Sequence, residues 1–163
     1  MSSPNIDQYN LDQFFMEEAL RIAEEAAERG EVPVGAVVIR GQEILARASN
    51  RVEELRDALA HAEVLALREA ARIVGDWRLS GCTLYVTKEP CFFCAGAILL
   101  TRVTRVVFGV ADPKMGGLGG ALHVILGPDG RPRFPCEVEG GVLAERSLQL
   151  LQDFFRALRR SDL

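Results

Sequence analysis

The chain has 163 residues, 48% hydrophobic and 26% charged, with a formal net charge of −4, a balance that excludes intrinsic disorder. No apolar run approaches the ~18 residues of a membrane span, and residues 1–10 lack the basic-then-apolar order of an export signal, so a cytoplasmic protein with no membrane association is expected. Nineteen Lys and Arg against 23 Asp and Glu give no overall attraction for a polyanion. The cations gather locally instead, at Arg102 with Arg105, at Lys114, at Arg131 with Arg133, and over residues 156–160.

The predicted elements begin with an amphipathic helix over 11–29. There Leu11, Phe14, Phe15, Ile22, Ala23 and Ala26 recur at three- and four-residue spacing, and Gly30 closes it. The β-branched run 32–39, the turn Arg40-Gly41-Gln42 and a second strand over 43–49 predict a hairpin. A charged connection over 51–57 leads to a helix from about His61 to Val74, with Val64, Leu67, Ala71 and Val74 as its buried stripe. Strand 83–87, helix 90–100 and strand 103–110 then alternate, which predicts a right-handed parallel crossover. Residues 111–133 are rich in Gly and Pro and predict a functional loop with one helical turn near Leu122. A fifth strand over 134–139 and a closing helix over 143–158 follow, the latter with Leu148, Leu151, Phe155 and Leu158 on one face. The expectation is one α/β domain over residues 1–163, a three-layer α/β/α sandwich around a mixed five-stranded sheet.

The chemistry concentrates in His61-Ala62-Glu63 and Pro90-Cys91-Phe-Phe-Cys94. Cys91 and Cys94, three apart at a helix start, put both sulfurs on one face, where the helix terminus favours thiolates. Pro90 suits the first helical position, where its missing N–H costs nothing. Two thiolates and the His61 imidazole select Zn²⁺ over Mg²⁺ or Ca²⁺. Four protein ligands close a structural zinc, whereas three leave room for a water whose pKa can fall to about 7. Glu63, two residues beyond the ligand, is placed to carry its proton to a ring nitrogen and a leaving amine. The set predicts hydrolytic deamination.

Other readings of the same residues are less economical. A thioredoxin-like dithiol would leave His61 and Glu63 idle, and a structural Cys₃His site would have to recruit Cys82 or Cys136. Both of those cysteines fit better as small buried hydrophobes. His123 reads as a surface or locally bonded group, Trp77 as packing, and the glycines between 116 and 120 lack the lysine and hydroxyl of a phosphate loop.

These motifs resemble the bacterial tRNA adenosine deaminases of the zinc-dependent cytidine-deaminase superfamily. The likeness extends to Glu31-Val-Pro-Val-Gly-Ala36, Asn50, Thr83-Leu-Tyr-Val-Thr87, Cys94-Ala-Gly-Ala97, Arg105-Val-Val-Phe-Gly109, Asp112-Pro-Lys114 and Asp153-Phe-Phe155. The resemblance implies a cytidine-deaminase-type fold, one Zn²⁺ per chain on His61, Cys91 and Cys94, and Glu63 as proton shuttle. It implies that Val34, Asn50 and Ala62 line the base pocket, that Phe155 closes it, and that Asp112 and Lys114 meet nucleic acid backbone. It also implies a homodimer that converts adenosine to inosine at the wobble position of a tRNA anticodon loop. Departures lie on the substrate side. Lys88 replaces an aliphatic residue beside the pocket, Ala58-Leu59 replaces Pro-Thr, the loop 115–120 is less polar, and Phe134-Pro-Cys136 stands where relatives carry Asn-His. They leave open a free nucleobase, nucleoside or nucleotide as substrate, with Lys88 meeting a small anionic or polar group. An inactive zinc-binding partner subunit is a third reading, and it gives Glu63 nothing to do.

Overall fold

The computed structural model describes residues 4–161. Helix α1 (Pro4–Glu28) precedes strands β1 (Gly35–Arg40) and β2 (Glu43–Ser49), and helices α2 (Val52–Leu55) and α3 (Ala62–Val74) lead to β3 (Cys82–Lys88). Helix α4 (Phe92–Leu100) runs on to β4 (Arg105–Val110), followed by β5 (Glu137–Glu139) and α5 (Ala144–Ser161). The strands form one sheet in the order β2-β1-β3-β4-β5. The hairpin is antiparallel with a bulge between Val38 and Ile39, and β1 also runs antiparallel to β3. The β3–β4 and β4–β5 pairs are parallel. A parallel pair cannot be closed by a tight turn, so α4 must carry the chain from the end of β3 back to the start of β4.

Alternation along the strands builds two cores. Ala36, Val38, Leu84, Val86 and Val106 face α3 and α4, which contribute Ala62, Ala66, Leu67, Ala70, Ala95 and Ile98. Val37, Ile39, Tyr85 and Val107 face the other way, under Phe15, Met16, Ala19 and Leu20 of α1, with Leu150 of α5 at the margin. The result is the expected α/β/α sandwich with a mixed sheet. Asp12 fixes α1 to it: Arg105 donates two hydrogen bonds to this buried carboxylate (2.7 and 2.8 Å), Tyr85 Oη one (2.8 Å) and Gln8 one (3.0 Å). Arg105 is therefore a structural ion-pair partner and no surface charge for a polyanion.

Several boundaries differ from the sequence-based expectation, each for a local reason. α1 reaches back to Pro4, the first described residue; over 6–10 its side chains are exposed, so no buried periodicity marks those turns in the sequence. β1 starts only at Gly35, since Pro33 lacks the N–H a ladder needs. The charged connection contains α2, whose first N–H groups at Glu53 and Glu54 are capped by the distant carboxylate of Glu31. On α3 the fully buried row is Ala62, Ala66 and Ala70, and Ala71 and Val74 sit half-buried at its edge; alanine lets the helix approach the sheet closely. α4 begins at Phe92 with Cys91 as N-cap, so Pro90 lies outside the helix. Leu122 is in no helical turn, because Leu118 bridges to His123 across a tight reversal. β5 covers only three residues after Pro135. Trp77 is 53% exposed under the Arg78 guanidinium (4.4 Å) and is no packing residue. Of the expected α5 stripe, Leu151 is buried, while Leu148, Phe155 and Leu158 are exposed.

Candidate active site

Two helix starts meet below the C-terminal end of β3. His61 is the N-cap of α3 and Cys91 that of α4, both with extended backbones and neither using its side chain as a cap. Their side chains are thus free to converge. His61 Nδ1 lies 3.3 Å from Cys94 Sγ and 3.6 Å from Cys91 Sγ, and the ligand atoms of all three residues fall within 4.8 Å of one another. Tetrahedral Zn²⁺ with sulfur at about 2.3 Å and nitrogen at about 2.0–2.1 Å requires an N···S separation of about 3.5 Å, which these distances bracket. Donor chemistry and spacing fit zinc. The two thiols are coupled: the hydrogen bond from Cys94, aided by its backbone N–H and by His61, holds Cys91 down at about 5 against the opposing effect of burial. The same bond, together with burial, pushes Cys94 up.

Glu63 lies in the first turn of α3, only 5% exposed. Burial raises its pKa, and hydrogen bonds from its own backbone N–H and from the Cys94 thiol offset this only in part. Its carboxylate lines a cavity of about 160 Å³ together with His61 and Cys91. Val32 and Val34 supply an apolar wall, and Asn50, Lys88 and Glu89 supply polar groups. Asn50 Oδ1 accepts the Ala62 N–H (3.3 Å), which leaves its Nδ2 hydrogens for a ligand. Larger hollows exist, such as the groove of about 500 Å³ lined by Phe14, Glu18 and Arg47, but among the described residues they hold no metal-binding triad. Chemistry, not size, locates the site.

The remaining expected site residues divide. Ala62 is fully buried and positions Asn50 through its N–H, but it does not line the cavity. Asp112 reaches the site through Lys88, whose Nζ lies 3.1 Å from its Oδ2, and burial that would raise the Asp112 carboxyl is outweighed by bonds from Lys114, Lys88 and Met115 that lower it. Lys114 is exposed on the same turn. Phe155 does not line the cavity; it packs edge-on against Phe154 on α5, 39% exposed. Cys82 is buried as expected, and Cys136 is half-buried, its thiol pushed up to about 11 by burial and by Glu137. His123 is half-buried, and its Nδ1 makes no hydrogen bond within the described residues.

Sequence reasoning missed Glu89. Its carboxylate is 2% exposed and accepts the N–H groups of Asp112 (2.9 Å), Leu118 (3.0 Å) and Gly120 (2.9 Å). Gly116 and Gly120 allow this close approach: a Cβ on Gly116 would lie 2.2 Å from Glu89 Oε2, and one on Gly120 2.4 Å from Oε1. Through Gly117, whose N–H donates to Pro90 O (2.8 Å), and the Cys91–Gly116 bridge, the loop packs against the backbone that carries Cys91. A carboxylate closing an apolar strand directly before Pro90 was the available signal.

Comparison with known proteins sets this geometry in context. Residues 10–159 match the MafB19-like deaminase family. Over 149 residues the chain is 49% identical to the tRNA-specific adenosine deaminase of Bacillus subtilis (strain 168), covering 91% of each. A solved structure from work on A-to-I editing by tRNA:A34 deaminases at the wobble position superimposes with a TM-score of 0.79 at 40% identity, over 85% of this chain and 99% of that one. A guanine deaminase from Bacillus subtilis superimposes with a TM-score of 0.58 at 36% identity, over 60% of this chain and 63% of that one.

Proposed function

The chain belongs to the tRNA-specific adenosine deaminase family, and we propose that it converts adenosine and water to inosine and ammonia at the wobble position of a tRNA anticodon loop. The observation that carries this reading is the buried Glu63 in one cavity with His61 and Cys91 of the His61–Cys91–Cys94 cluster. His61 Nδ1 and the two thiolates would hold one Zn²⁺, which when bound activates water as a nucleophile. Glu63 carries one proton of the attacking water to the ring nitrogen N1, where inosine keeps it, and the other to the amine departing from C6 as ammonia. Burial keeps that carboxylate more basic than an ordinary glutamate, as proton transfer near neutral pH requires. Val32 and Val34 pack the base, and Asn50, held by the Ala62 N–H, offers Nδ2 to the nucleoside. The base must leave its loop to reach this depth, and a single-stranded anticodon makes that extrusion cheap.

The reading also takes the protein to be a single-domain homodimer working in the cytoplasm. Phe93 and Leu100, seven residues apart along one face of α4, are 44% and 71% exposed, the kind of apolar face a second copy would cover. The test is ammonia release by the zinc-loaded protein on an anticodon stem-loop, beside a panel of free purines and pyrimidines. Inosine in the stem-loop, abolished by chelation and restored by Zn²⁺, supports the proposal. Turnover of a free base with the RNA untouched would assign the chain to small-molecule deamination, the reading favoured by the likeness to a guanine deaminase.

A further inference from the structure

Lys88 is the single Lys or Arg among the residues lining the catalytic cavity, whose other ionisable groups, apart from His61, are Glu63, Glu89 and the Cys91 thiol. It is the last residue of β3, its side chain 36% exposed, so the ammonium meets both cavity and solvent. Within the described residues its ionic partner is Asp112, with Nζ 3.1 Å from Oδ2. Asp112 does not depend on that pair. Its Oδ1 already accepts the N–H groups of Lys114 (2.9 Å) and Met115 (3.2 Å), and its own N–H is held by Glu89. An ammonium carries three donors, and a partly solvated ion pair is weak, so a second anion can share or replace Asp112 at little cost.

The proposed substrate supplies such an anion. A nucleotide extruded from an RNA loop arrives with a phosphodiester on each side, at the mouth of the cavity where the partly exposed Lys88 ammonium stands. We infer that Lys88 is a specificity residue that binds the phosphodiester backbone flanking the target nucleotide, with Asp112 holding the ammonium at the cavity mouth until the RNA arrives. The inference rests on the tRNA reading above and sharpens it, because a neutral free base would gain nothing from this cation. It also gives Lys88 a use that an aliphatic side chain at the same position could not serve.

The experiment compares the zinc-loaded wild type with Lys88→Met, Lys88→Arg and Asp112→Asn on an anticodon stem-loop over a range of salt concentrations. One phosphate contact on a single strand contributes about 0.7 to the slope of log affinity against log salt, so the wild-type advantage over Lys88→Met in kcat/KM should shrink about 2.6-fold between about 50 and 200 mM salt. The loss should fall mainly on KM, the mark of uniform binding, and Lys88→Arg should restore both slope and KM. Asp112→Asn should keep the wild-type salt slope. Two results overturn the inference while leaving the tRNA reading intact: an unchanged slope in Lys88→Met, or an Asp112→Asn variant that reproduces every effect of Lys88→Met. A wild type that never turns over the stem-loop overturns both.

Discussion

Replacing Glu89 by Gln tests whether the glycine-rich loop is held by a charge or only by shape. The two side chains are nearly isosteric, but Gln brings one carbonyl oxygen and one NH₂ where Glu89 brings two acceptors. If the Gln oxygen takes the Oε2 position, the Leu118 and Gly120 donors are kept and an NH₂ faces the Asp112 N–H, which now sits 2.9 Å from Oε1. The opposite flip loses two donors. At least one buried hydrogen bond to a charged group disappears, worth about 1.5–3 kcal/mol, and the survivors weaken as the charge goes, for a total of about 2–4 kcal/mol. In a chain of this length each kcal/mol moves Tm by about 2–4 °C, so a drop of roughly 5–15 °C is expected. Calorimetry on the zinc-loaded protein gives the shift, zinc content shows that the metal stays, and hydrogen exchange locates the change at the amides of 112–120. A Tm within about 1 °C of wild type, with those amides still protected, would refute the reasoning, since a buried donor cannot lose its acceptor without cost.

Glu63→Gln should keep zinc and match or exceed the wild type in thermal stability, because it relieves the desolvation that raises the Glu63 pKa. Turnover should fall at least ~10²-fold, the usual scale of a lost proton shuttle, and near-normal turnover would sink the proposed role. At Asp12, burial raises the pKa, but the hydrogen bonds from Arg105, Tyr85 and Gln8 with the Arg105 charge outweigh it, so the folded value lies below the ordinary 3.8. A depressed carboxylate stabilises the fold above its unfolded pKa, and that stability drains away as pH falls through the folded value. Urea midpoints followed from pH 7 to below about pH 3 should therefore drop more steeply for wild type than for Asp12→Asn, which titrates no proton there. Parallel curves would show that the Asp12 network does not couple to protonation.

What the sequence made legible was what a few residues decide locally. The hairpin turn at 40–42 and the strand–helix–strand order that forces a parallel pair follow from neighbours along the chain, and the metal set from two short motifs, His61-Ala62-Glu63 and Cys91-Phe92-Phe93-Cys94, each recognisable by itself. What stayed hidden depends on residues far apart. The turn expected at Leu122 competes with the Glu89 carboxylate, which lies 29 and 31 residues before the donors it collects at Leu118 and Gly120, so no window around 122 reveals the outcome. Arg105 looked like part of a basic cluster, yet its partner Asp12 is 93 residues away, on the first helix. Lys88 shows the same limit in the site itself. Its oddity was visible in the sequence, whereas its meaning rests on Asp112, a residue brought alongside only because β3 and β4 run parallel and end together at Lys88 and Val110. Ligand identity is thus written in local spacing, and the choice of substrate in contacts that only the folded sheet creates.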